Sequence, residues 1–365
     1  MDKVSVGIPT YNSGKYIRDC LASILSQTYH NLEIIVVDNG SSDDTEKIVF
    51  SFKDPRVRFY RNPKNIFCYG SYNVIIKLAQ TELLAIYHSD DVYEPTIIEE
   101  QVKFLKEHKN VVAVFTEAYI INSEGKIIRQ SQKQSKIRDI SVFDFRLAYN
   151  MILKYGDFFI CPSGMFVKKV FEDVGLFKEE KFFSTTDDDL WIKLLEKYGM
   201  SRNMILTAND LEMWLRILQK YPVGILHKKL MRYRIHPGQG SFSDSSTSRE
   251  NFFIVMDYYE RYAREKKLIS EHALKHYMAK KVRWIFSKGQ DGLLRGDFSH
   301  ARRNFISFIK NFCSIFPFWT FRDFSRLLWA SSVVVLNPRF FLFKKILEYY
   351  MDYKVRQQQK KMSML

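Results

Sequence analysis

Two adjacent carboxylates follow a short apolar run in residues 83–95, LLAIYHSDDVYEP. Leu83, Leu84, Ala85 and Ile86 are continuously apolar, the pattern of a strand buried on both faces of a sheet. Ser89, Asp90 and Asp91 come soon after it. Neighbouring carboxylates beside a buried strand repel each other and lose hydration, so a positive partner is expected. A divalent cation with oxygen ligands, carried by a diphosphate, fits that need. Asp38 ends a second apolar run, residues 32–37, where a carboxylate can accept hydrogen bonds from a base or ribose. Thr10 and Tyr11 end a third, and the Tyr11 ring is available to stack. Open α/β sheets bind ligands beyond the C-terminal ends of their strands. Taken alone, the same acids also read as a polar strand-to-helix loop in which Asp caps the next helix.

The elements that must position these residues follow from the pattern. Strands are expected at 4–8, 32–37, 57–60 and 83–87, with helices at 16–27, after Thr45, and at 70–79. Such alternation builds βαβ units and a largely parallel sheet. Residues 111–121 read as a further strand that turns at Asn122-Ser123-Glu124-Gly125 into a hairpin partner at 126–129. With 365 residues the chain can bury a large domain and an appendage. The four cysteines are far apart, lack metal-site spacing and suit a reducing compartment as free packed thiols. No Walker loop, GxGxxG, GxSxG or HExxH is present, which argues against P-loop, dinucleotide-dependent, α/β-hydrolase and zinc-protease chemistry.

Read together, VSVGIPTYN (4–12), SILSQTY (23–29), EIIVVDNGSSDDT (33–45), the stretch from Asn65 to Asn73, and the run ending in SDD at Asp91 resemble the family 2 glycosyltransferases of the GT-A fold. Order and spacing agree across residues 1–125. The resemblance implies a Rossmann-like, mixed but largely parallel sheet flanked by helices, with a site for a nucleotide-diphosphate-sugar donor. Thr10, Tyr11 and Asp38 would hold the nucleoside, with Pro9, Asn12, Asn65, Asn73 and Ser89 from the matched stretches around it. Asp90 and Asp91 would be the paired acids that bind Mg²⁺ or Mn²⁺, Asp91 the more direct contact. The chain departs from the pattern at three places. His88 stands where many relatives carry Asp, and Phe67 and Tyr72 where the family often has Gly and a basic residue.

One motif of the form Asp-x-acid-apolar-Trp-apolar-basic occurs twice, at 187–193 and 210–216. Each copy reads as a helix N-terminus, where the dipole favours carboxylates, with a Trp buried four residues on. The resemblance makes the leading acid the general base, and the chemistry requires one, because a sugar hydroxyl is a poor nucleophile until its proton is taken. Asp210 is favoured, since the sequence from Trp214 to Tyr233-Arg234-Ile235-His236 runs on in register. Asp187 is the alternative. The resemblance also brings in His236 as a contact to the metal or diphosphate.

The expected organisation is a GT-A domain at 1–248, with a donor half (1–125) and an acceptor half (126–248), then a helical extension at 249–365. From Asn251 onward 22 Lys and Arg face 9 Asp and Glu, so this part holds most of the formal net charge of +15. In it Phe305, Phe308, Ile309, Phe312 and Phe316 recur at helical spacing, and Trp319, Phe321, Phe324 and Trp329 follow among arginines. Such helices suit an anionic membrane surface, or the stripe packs on the catalytic domain and the charge is a solvated face. Nucleic acid is not expected, because the basic residues alternate with long apolar runs. No window has the roughly 18 apolar residues of a membrane span, and the N-terminus lacks a signal-peptide pattern. The expected location is cytoplasmic, with peripheral attachment to the inner face of the membrane. The expected activity is metal-dependent, inverting transfer from a nucleotide-diphosphate-sugar, a UDP-sugar above others, to a glycan or lipid-linked hydroxyl. The rival is a non-catalytic nucleotide-sugar-binding or membrane scaffold of the same fold; a nucleotidyltransferase fits less well, since no Gly-rich basic loop follows the first strand.

Overall fold

The continuously apolar runs take the centre of the sheet, since only a sheet covered on both faces can bury every side chain of a strand. The computed structural model describes residues 2–131, 137, 139–178, 208–239, 245–315 and 320–335. β1 (Val4–Thr10), α1 (Ile17–Leu25), β2 (Leu32–Asp38), α2 (Thr45–Ser51), β3 (Val57–Arg61), α3 (Phe67–Leu78) and β4 (Leu83–Ile86) alternate as expected. Every residue of β1, β2 and β4 is buried. Helix α1 buries Ile17, Cys20, Leu21 and Ile24, a stripe at spacings of three and four. Helix α3 starts three residues earlier than its pattern suggested. It lies so close to β1 that a Cβ at Gly7 would stand 2.1 Å from Ile75 Cγ2, so this crossing needs a glycine in the strand.

After β4 come β5 (Val92–Tyr93), α4 (Ile97–Glu107), β6 (Ala113–Ile121) and β7 (Ile127–Gln130), the last two an antiparallel pair across the expected turn. β8 (Val142–Phe143), α5 (Phe145–Tyr155), β9 (Gly164–Val167), α6 (Val170–Val174), α7 (Asn209–Leu218), β10 (Val223–Arg234) and α8 (Ser245–Glu265) follow. The strand order is β3-β2-β1-β4-β9-β6-β10-β5. β3, β2, β1 and β4 are mutually parallel, whereas β9 runs antiparallel to both β4 and β6. The sheet is therefore mixed, with its parallel part at the N-terminal half. Chain order leaves β1 toward β2 on one side and returns to β4 on the other, which makes the C-terminal ends of β1 and β4 a topological switch point.

The chain divides into two units, Met1–Tyr149 with Asp157–Leu268, and Asn150–Gly156 with Ile269–Leu365. In the second, α9 (Glu271–Leu294), α10 (Phe298–Asn311) and α11 (Phe321–Val335) enclose a core of their own. Phe305, Phe308 and Phe312 are buried there with Ala279, Val282 and Phe286. These positions of the stripe that could have met a bilayer are turned inward, for a periodic apolar face does not say what covers it; Phe316 and Trp319 lie outside the described residues. No helix among the described residues is long and apolar enough to cross a membrane. All four cysteines are free.

A buried carboxylate ties this helical unit together. Asp323 accepts hydrogen bonds from Arg283 Nη2 (2.8 Å), Arg326 Nη1 (2.8 Å), the Thr320 amide (2.9 Å) and the Thr320 hydroxyl (2.8 Å). Burial opposes the charged form, but the bonds from Arg283 and Thr320 outweigh it and hold the carboxyl well below the usual carboxylate range. A depressed folded-state pKa stabilises above the unfolded value of about 3.9, and that contribution is lost as pH falls through the folded value. Asp323→Asn is therefore expected to lower the melting temperature at neutral pH, with the gap to wild type closing as the pH is taken well below 4. A gap that stayed constant in thermal melts across that range would contradict this.

Candidate active site

β1 and β2 end in register, Thr10 opposite Asp38. Thr10 is buried, and its Oγ1 has no hydrogen-bond partner among the described residues. Tyr11, the next residue, is half exposed. Asn12 then takes a left-handed conformation (φ 48°), which Asn tolerates better than most residues. Its amide donates to Ser41 Oγ at 2.8 Å and its Oδ1 accepts from the Ser42 amide at 2.9 Å. The turn after β1 is thus sewn to the loop after β2. Asp38 is fully buried, accepts from the Ser41 amide (3.1 Å) and the Ser41 hydroxyl, and lies 3.6 Å from Arg61 Nε. A carboxylate has about four acceptor sites, so capacity for a ligand remains.

Two expected contacts are occupied within the fold. Asn65 Oδ1 accepts from Asn39 Nδ2 (2.7 Å) and from the Phe67 amide (2.8 Å), which fixes the start of α3. Asn73 is buried, donating to the Phe177 carbonyl at 2.8 Å and accepting from the Phe177 amide at 2.9 Å. Both position the walls of the crevice. Pro9 lies in buried β1, and the Ser89 hydroxyl is 2.8 Å from that of Ser13.

The paired acids gather at the other side of the switch point, where β10 delivers its last residues to them. The Arg234 amide donates to Asp91 Oδ1 at 2.7 Å, and Arg234 Nε donates to the Asp90 carbonyl at 2.7 Å. The guanidinium, itself buried, lies over the Tyr16 ring at 4.6 Å. His236 Nε2 is 3.1 Å from Asp90 Oδ2, and its ring packs against the Tyr16 ring, centroids 4.8 Å apart. Asp91 is 1% exposed, yet its Oδ2 has no partner among the described residues. Burial, then the charge of Asp90, push the Asp91 carboxyl well above the usual range. Asp90 is itself desolvated, but the bond from His236 and the charge of His88 lower it. An orphaned carboxylate oxygen beside a second carboxylate fits a divalent cation. The ligand atoms of His88, Asp90 and Asp91 lie within 4.8 Å of one another, and they form the candidate cation cluster.

Asp210 stands in the first turn of α7, with Oδ1 accepting from the Leu211 amide at 2.8 Å. Burial raises its carboxyl above the usual range. Asp157, which the sequence did not single out, is raised by burial and then by the charge of Asp210. Burial raises the Cys68 thiol at the start of α3, and the charges of Asp210 and Asp90 add to the shift. The rest of the motif anchors α7. Trp214 is buried, stacked on Phe166 at 5.4 Å and edge-on to Phe115 at 4.8 Å. Arg216 binds Glu212 (2.8 Å) and the carbonyls of Val174 (2.8 Å) and Leu176 (3.0 Å). Asp187 lies outside the described residues. Sequence reasoning missed Arg234, whose role depends on a pairing across the sheet, and the contact between Tyr72 and His88.

The sequence model described as "Glycosyl transferase family 2" matches residues 5–175. An uncharacterized glycosyltransferase of Rickettsia typhi is 36% identical over 197 residues, covering 53% of this chain and 58% of that relative, so the match takes in little more than half of its length. Glycosyltransferase GlyG of Streptococcus pneumoniae is 30% identical over 216 residues, covering 57% of this chain and 68% of GlyG. Among solved structures, S. aureus TarS 1–349 in complex with UDP-GlcNAc superposes with a TM-score of 0.58 at 18% identity, covering 96% of this chain and 92% of TarS 1–349. That likeness bears out the GT-A architecture. With the matched motifs placed at the ends of β1, β2 and β4, the chain belongs to the family 2 glycosyltransferases.

Proposed function

We propose that this protein transfers a sugar from a nucleotide-diphosphate-sugar, a UDP-sugar by preference, to a hydroxyl of a glycan or lipid-linked acceptor, with inversion at the anomeric carbon. The observation that carries this reading is the buried Oδ2 of Asp91, without a partner among the described residues, beside Asp90 at the switch point of the sheet. Thr10 Oγ1, without a partner among the described residues, and the half-exposed Tyr11 ring at the end of β1 supply a hydrogen bond and a stacking face for a nucleoside, with Asp38 beside them. The UDP-GlcNAc named for TarS supports the choice of nucleotide.

Asp90 and Asp91, with His236 beside Asp90, would hold Mg²⁺ or Mn²⁺. Such an ion neutralises charge on a leaving diphosphate. Arg234 holds the two acids in place through its backbone amide and guanidinium. Asp210 takes the proton of the acceptor hydroxyl as that oxygen attacks, and the nucleoside diphosphate leaves from the opposite face. A carboxyl raised by burial is a better base than an exposed one. The basic charge of the C-terminal third supports contact with an anionic membrane surface, as a lipid-linked acceptor would require.

Purified protein should be screened with Mn²⁺ against UDP-, GDP- and dTDP-sugars, reading released nucleoside diphosphate. Release from one donor, lost in Asp91→Ala, is the expected result; undiminished release by Asp91→Ala would overturn the assignment of that acid. Asp210→Asn should lower transfer by about 10²–10⁴-fold with donor affinity kept, as loss of a general base does. Wild-type turnover should rise with pH through the raised pKa of Asp210, since only the deprotonated carboxylate can act. If Asp187→Asn abolished transfer while Asp210→Asn did not, the base would be Asp187.

A further inference from the structure

Two of the positions at which this chain departs from the family pattern touch each other. The Tyr72 hydroxyl is 2.5 Å from His88 Nε2. Tyr72 is buried, and its ring is fixed edge-on to Phe177 (5.1 Å) and Tyr69 (5.6 Å). The same hydroxyl is 3.9 Å from Cys161 Sγ, a weak acceptor to which it can donate a hydrogen bond. With the phenol O–H turned to sulfur, the phenol oxygen accepts Nε2–H, and the lone pair of the imidazole rests on Nδ1. The His88 amide donates to the Tyr93 hydroxyl at 2.6 Å, which holds the backbone as well. A metal-binding histidine is ordinarily set in this way, its second ring nitrogen donating to an outer partner that fixes tautomer and orientation.

His88 offers a ligand atom within 4.8 Å of those of Asp90 and Asp91. Ligands on opposite sides of one divalent ion stand about 4–5 Å apart, so a single ion can reach all three. Resting on the donor-site reading above, we propose that His88 is a nitrogen ligand of the cation held by Asp90 and Asp91, and that it makes the site select a first-row transition cation over Mg²⁺. Mg²⁺ favours an all-oxygen shell and gives up water reluctantly, whereas imidazole suits the transition series. Tyr72 acts as a positioning residue for that ligand.

The test uses the full chain with Mn²⁺ as probe, with and without UDP. Paramagnetic resonance of free Mn²⁺ gives affinity, Mg²⁺ is the competitor, and spin-echo modulation reports nitrogen on the bound ion. Wild type should need at least about a tenfold excess of Mg²⁺ to release half the Mn²⁺. His236→Ala should keep the ¹⁴N modulation; adding His88→Asp should abolish it while Mn²⁺ still binds, and should bring Mg²⁺ toward parity. His88→Ala should weaken Mn²⁺ by about tenfold or more, with circular dichroism checking the fold. Modulation absent from His236→Ala, or Mg²⁺ competition unmoved by His88→Asp, would overturn the proposal and leave the donor site standing. Failure of wild type to bind Mn²⁺ even with UDP would overturn both.

Discussion

The burial of Asp91 beside Asp90 is the constraint on which the rest of this site depends. A carboxylate with one oxygen bonded to the Arg234 amide and the other without a partner among the described residues is costly in a folded chain. The fold keeps that arrangement with several separate devices. β4 is buried on both faces and carries the acids out at its end. β5 pairs with β10 just after Asp91, so the strand that brings Arg234 and His236 is registered against the acids by backbone hydrogen bonds. Arg234 satisfies the Asp90 carbonyl and rests on Tyr16. None of these groups cancels the second Asp91 oxygen. A site that holds its acids rigidly and leaves one oxygen uncompensated is preorganised for a cation.

The two sides of the crevice are built on different principles. Around the ends of β1 and β2, loops are sewn together by neutral hydrogen bonds, Asn12 to Ser41 and Ser42, Asn39 to Asn65, and Asn73 to the Phe177 backbone. These amides fix shape and bring no net charge. On the α7 side, a helix is fixed by Trp214 in the core and by Glu212 and Arg216, and its first turn presents Asp210. Asp157 is a second acid held above the usual range, by burial first and then by the charge of Asp210.

Much of this was legible in the sequence, for physical reasons that also mark its limits. Runs such as 32–37 announce a strand covered on both sides, and acids directly after such runs announce a crevice. The antiparallel insertion of β9 between β4 and β6 was not legible, because four residues, Gly164–Val167, carry no period of their own and pair with a strand some eighty positions away. Asn65 and Asn73, expected as donor contacts, bond to groups of the chain itself, and sequence cannot tell an amide that meets a ligand from one that meets backbone. The stripe of Phe305, Phe308 and Phe312 was correctly read as an apolar face, and its cover turned out to be the neighbouring helices of its own unit. His88 and Tyr72 looked like two unrelated departures; only the folded chain shows them as one hydrogen-bonded pair.

The central claim is that nucleotide and cation occupy one site at the ends of β1, β2 and β4. Calorimetric titration of the full chain with UDP, in Mn²⁺ and again in a chelator, tests it most directly. The account predicts measurable binding with Mn²⁺ and at least about tenfold weaker binding without it, since the diphosphate would then meet the two acids with no cation between them. Equal affinity in both conditions, or no binding in either, would contradict it.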